Sequence, residues 1–102
     1  MSGSGSFSSN STSKFYACER LKFYTHIRSP NPLLAKKIKI GDILMVDLIE
    51  DSICAIFGGD IVGGITSEHY QNLFKCITGG TIYQASVCEL NHGQIKVFVY
   101  SV

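Results

Sequence analysis

The chain has 102 residues, 45% hydrophobic and 17% charged, with a formal net charge of +1 at pH 7. That is enough apolar side chain for one packed core, and too little charge for a disordered polyelectrolyte. No run approaches the roughly 18 consecutive apolar residues of a membrane-spanning helix.

Residues 1–13 read MSGSGSFSSNSTS, nearly all Ser and Gly. Such a segment offers too little apolar surface to offset the entropy of ordering it, so it reads as a disordered leader or linker. Residues 14–102 then form a single domain. The four cysteines, Cys18, Cys54, Cys76 and Cys88, stand singly among apolar neighbours, where a free thiol behaves as a small hydrophobe. This sparse spacing favours free thiols, a reducing compartment and a cytoplasmic location, with a Cys18–Cys88 bridge left open.

The near-neutral total hides an asymmetry. Up to Ile40 seven Lys or Arg face a single acid, Glu19, a net +6. Beyond Ile40 two Lys face seven acids, a net −5. Either the first part binds a polyanion, or the two parts pack through complementary faces.

In chain order, residues 15–28 alternate in polarity. Phe15, Ala17, Leu21, Phe23 and Ile27 fall on one side; Tyr16, Arg20, Lys22, Tyr24, His26 and Arg28 fall on the other. A period of two predicts one long, half-buried strand. Ser29-Pro30-Asn31-Pro32 ends it, since Pro lacks the ladder N–H and restricts the residue before it. Residues 33–40 read as a basic connector with a possible short strand at its end, and Gly41-Asp42 as a turn. Strands follow at Ile43–Ile49 and, after the acidic turn at Glu50-Asp51, at 53–57. The glycine pairs at 58–59 and 63–64 suggest a turn and then a bulge or bend.

The one good helix starts after Ser67 as N-cap, with Gly79 as its left-handed stop. Tyr70, Leu73, Phe74 and Ile77 make its apolar stripe. Residues 81–90 and 95–101 are strands joined as a hairpin through Asn91-His92-Gly93-Gln94. The expected fold is therefore mainly β (α+β): a small OB-like β-barrel of about five strands, with one α-helix between strands 3 and 4.

For catalysis, His26, His69 and His92 have no nearby Ser, Cys or acid in a nucleophile signature, so no catalytic residue is assigned and the chain reads as a non-enzyme. Cys88 with His92, and Cys76 with His69, lack the paired spacing of structural zinc, so no metal or other cofactor is expected. The glycine pairs lack the spacing and the following Lys-Ser or Lys-Thr of phosphate loops.

The suggestive constellation is the polar side of the first strand, Tyr16, Arg20, Lys22, Tyr24, His26 and Arg28, followed by Lys36, Lys37 and Lys39. Cations that track phosphates beside rings that stack on bases are how single-stranded DNA or RNA is held. The alternative is a protein–protein interaction domain, a small regulator, inhibitor or subunit, on which these side chains are simply solvated.

Over residues 58–99 a pattern recurs. Phe57-Gly58-Gly59 precedes Val62-Gly63-Gly64-Ile65; an amphipathic helix, Gly79-Gly80, Tyr83-x-Ala85-x-Val87 and Lys96-Val97-Phe98-Val99 follow. In this the chain resembles the HIRAN domain, and Arg28-Ser29-Pro30-Asn31-Pro32 with Ala35 and Ile38 is similar to that family's Arg-x-Pro-Asn-x-Pro stretch. The resemblance implies an OB-like barrel that recognises single-stranded DNA ends.

Overall fold

A computed structural model describes residues 16–102; the leader expected at 1–13 lies outside the described residues. Six strands form one antiparallel sheet: β1 (Phe23–Arg28), β2 (Ile43–Ile49), β3 (Ser52–Phe57), β4 (Asp60–Ile65), β5 (Tyr83–Asn91) and β6 (Gln94–Ser101). Two helices interrupt them, α1 (Pro32–Ala35) and α2 (Tyr70–Thr78). The strand order β1-β4-β3-β2-β5-β6 returns to β1, so the sheet closes on itself as a ring.

Three sequence expectations are corrected here. The strands number six, because Asp60–Ile65 is a full strand paired with both β3 and β1 rather than a bend. The long helix consequently lies between β4 and β5, not between strands 3 and 4. The first strand begins only at Phe23: residues Cys18–Arg20 wind into a 3-10 turn, with Leu21 N–H bonded to the Ala17 carbonyl at 3.0 Å. Over residues 16–20 the apparent alternation therefore places no side chains on a sheet; Phe15, the expected start of that strand, lies outside the described residues.

The alternating apolar positions point into the ring. Leu44 and Val46 of β2, Ala85 and Val87 of β5, and Ile95, Val97 and Val99 of β6 are all buried. Leu73 of α2 reaches the same core and is fully enclosed. Each Leu, Ile or Val among them contributes roughly 1.5–3 kcal/mol on leaving water. Gly63 is required by this closure, since a Cβ there would lie 2.5 Å from both the Arg28 carbonyl oxygen and Ile27 Cγ2.

The three hairpin turns follow one pattern. Glu50-Asp51, Gly58-Gly59 and His92-Gly93 all have positive φ at both residues, the primed geometry that matches strand twist. The segment after β1 is helical rather than an open connector. Asn31 Oδ1 accepts from Leu33 N–H at 2.9 Å and Leu34 N–H at 3.3 Å, with Pro32 at the first helical position.

At α2 the cap positions shift. Ser67 Oγ accepts from His69 N–H at 2.8 Å and closes the turn ahead of the helix, but His69 is the N-cap. Gly79 stays right-handed at φ −80°, and Gly80, at φ 105°, makes the left-handed exit. The buried side centres on Asn72, Leu73 and Cys76; Tyr70, Phe74 and Ile77 of the expected stripe are only partly covered.

Cys76 lies on that buried side. It forms a disulfide with Cys18, with Cα atoms 5.5 Å apart, while Cys54 and Cys88 are free thiols. The expectation of no disulfide is thus corrected, and with it the support for a reducing compartment; the bridge uses Cys76, not Cys88. Asn72 reinforces the tether: its Oδ1 accepts from Tyr16 N–H at 2.6 Å and its Nδ2 donates to the Tyr16 carbonyl at 3.2 Å. Buried Tyr83 donates its hydroxyl to the Cys18 carbonyl at 2.6 Å. Burial, with Glu19 nearby, holds the Tyr83 phenol above its ordinary pKa. Among the described residues no helix is long and apolar enough to cross a membrane.

Candidate functional site

Antiparallel pairing puts directly opposed residues on the same side of the sheet, so register determines what gathers on the outer face. Tyr24 of β1 stands opposite Phe98 of β6, and His26 opposite Lys96. Ser86 and Gln84 of β5 stand opposite Phe98 and Tyr100. The result is a row of three rings. Tyr24 and Phe98 have centroids 4.7 Å apart, and Phe98 and Tyr100 lie 5.8 Å apart with planes inclined by only 22°. Lys96 Nζ sits 5.4 Å from the Tyr24 centroid, within cation–π range. Tyr24, at 63% exposure, is the most open of the three rings.

The sequence-derived candidates divide around this row. Tyr24, His26 and Arg28 share the outer side of β1, and Lys22 is exposed just before it. Lys36 follows α1 and lines a shallow hollow with Pro30, Pro32, Ala35 and Gly93. That hollow is at the β5–β6 turn, near where β1 ends in Arg28. Arg20 closes the 3-10 turn instead of standing on a strand.

Tyr16 is set apart. Its backbone is clamped by Asn72, and its ring meets His69 edge-on at 5.6 Å, beside α2. Lys37 faces a different hollow, with Leu33, Asp60 and Ile61. The Lys39 N–H donates to Asp42 Oδ2 at 2.8 Å, which places an acid beside it. These three belong to the expected set by sequence spacing but not by position.

Phe98, Tyr100 and Lys96 escape the sequence reading. Their signal lies in the alternation of β6, where Lys96, Phe98 and Tyr100 interleave with buried Ile95, Val97 and Val99. Only the pairing of β6 with β1 reveals that they extend the Tyr24 side.

The charge asymmetry also takes a definite form. None of Arg20, Lys22, Arg28, Lys36, Lys37 or Lys39 forms an ion pair with a carboxylate of the described residues. The basic and acidic parts of the chain therefore do not neutralise one another through direct contacts of these cations. The arrangement can stack planar groups on Tyr24, Phe98 and Tyr100 while Lys96, His26, Arg28 and Lys22 meet negative charge around them. Comparison with known protein families, with curated proteins and with solved structures finds no match.

Proposed function

We propose that this domain is a small OB-like, HIRAN-like barrel that binds single-stranded DNA or RNA without acting on it chemically. One observation carries the reading: a contiguous row on the outer face, exposed Tyr24 followed by half-buried Phe98 and Tyr100, with Lys96 over the first ring and, among the described residues, cations without a carboxylate partner beside it. Stacking is worth about 1–3 kcal/mol per base, so two or three rings suffice for measurable affinity. The phosphates would be met by Lys22, His26, Arg28, Lys36 and Lys96.

The test is fluorescence anisotropy of labelled oligo-dT and oligo-U across a salt series. Binding should weaken steeply as salt rises, since each neutralised phosphate releases counterions. Phe98→Ala should weaken binding roughly 5- to 150-fold, corresponding to about 1–3 kcal/mol of stacking. Arg28→Glu with Lys96→Glu should abolish binding. No binding by the folded wild type at low salt refutes the proposal.

A second reading, a protein-interaction module, draws on exposed Ile43 and Met45 of β2 and Ile61 of β4, 44–46% accessible. Apolar residues gathered on an outer surface mark interaction sites. It is favoured if the double charge reversal leaves oligonucleotide binding intact, or if the wild type binds none.

A further inference from the structure

Gln84 occupies a distinctive place beside the aromatic row. It stands opposite Tyr100 across β5–β6 and opposite Met45 across β2–β5. The Tyr100 hydroxyl donates to Gln84 Oε1 at 3.3 Å. Among the described residues Gln84 Nε2 meets only Met45 Sδ, at 3.9 Å. A thioether is a weak acceptor, and an amide nitrogen carries two hydrogens. The amide is therefore fixed in orientation by a tyrosine that is itself part of the platform, with its acceptor engaged and its donor available. Ser86, opposite Phe98, is the neighbouring polar side chain on β5. Its hydroxyl both donates and accepts, so it discriminates poorly between base edges.

We infer that Gln84 is the specificity-determining residue of this face, donating from Nε2 to an exocyclic carbonyl oxygen of a base stacked at Tyr100. The inference rests on the proposed single-strand binding. It selects thymine or uracil over adenine, because adenine carries an amino donor where those bases present a carbonyl acceptor. The rings alone supply little such selection, since every base has a π-face.

The experiment titrates homopolymeric oligo-dT and oligo-dA of equal length against wild type, Gln84→Leu and Tyr100→Phe. The wild type should prefer oligo-dT. Gln84→Leu replaces the amide with an apolar branched group that can neither donate nor accept, and should weaken oligo-dT binding about 3- to 10-fold, the range of one hydrogen bond, while oligo-dA changes less than about 2-fold. Tyr100→Phe keeps the ring but frees Oε1, so the amide can rotate and offer an acceptor to adenine; the preference should narrow. A dT:dA ratio that Gln84→Leu leaves unchanged, including an equal loss on both oligonucleotides, overturns the assignment and leaves single-strand binding standing. Failure of the wild type to bind either oligonucleotide overturns both.

Discussion

Opening the Cys18–Cys76 bridge is the perturbation with the most directly calculable effect. The two residues are 58 apart in sequence. Cross-linking a loop of that length removes about 14 cal/mol/K of chain entropy from the unfolded state, or about 4 kcal/mol at 25 °C, with 2–4 kcal/mol the usual range. The folded state should survive reduction, because Asn72 still clamps the Tyr16 backbone and Tyr83 still bonds the Cys18 carbonyl. Leu21, next to the turn, also stays buried in the core. The loss therefore falls on the unfolded side of the equilibrium. For a domain of this size each kcal/mol moves Tm by about 4–8 °C, so a loss of about 2–4 kcal/mol should lower Tm by roughly 8–32 °C on reduction. Thermal melts by circular dichroism, with and without dithiothreitol, and of Cys18→Ser with Cys76→Ser, measure it. Coincident melts within about 5 °C for oxidised, reduced and double-mutant protein would refute the tether.

Two further outcomes follow from the core. Gly63→Ala forces a methyl onto the Arg28 carbonyl and the Ile27 side chain; urea denaturation should show about 1–3 kcal/mol of destabilisation, the usual cost of overpacking. Tyr83→Phe removes the hydroxyl that bonds the Cys18 carbonyl and should cost about 0.5–1.5 kcal/mol near neutral pH, the usual net worth of one hydrogen bond, because that half-buried carbonyl loses its donor. The folded-state pKa of Tyr83 is raised, so its contribution is present below the unfolded tyrosine value of about 10 and falls away as pH climbs above it. Denaturation midpoints across the alkaline range should therefore drop less steeply in the Phe variant.

Most strands were legible because local composition and turn chemistry survive any context: Ile43–Ile49 is an apolar run broken only by Asp47, and Glu50-Asp51, Gly58-Gly59 and His92-Gly93 mark the hairpins. Residues 16–22 mislead because a 3-10 turn can mimic alternation over a few residues, and Cys18–Arg20 is tied down by contacts from α2, β5 and β6. β4 was hidden by its glycines, which ordinarily weaken a strand; here Gly63 is tolerated because β1 passes too close for a side chain. Half of the candidate site was visible in β1 as Tyr24, His26 and Arg28. Tyr16 and Lys39 had the right chemistry and the wrong surroundings.

By itself the sequence determined a mainly β domain, the hairpin turns, and the apolar alternation that fills one core, because these depend on local periodicity and turn chemistry. It also carried the charge asymmetry. The ring order β1-β4-β3-β2-β5-β6, the Cys18–Cys76 bridge and the Tyr24–Phe98–Tyr100 row depend on which distant strands pair and in what register. Those choices are made by closure of the sheet around a shared core, and no short window of residues contains them.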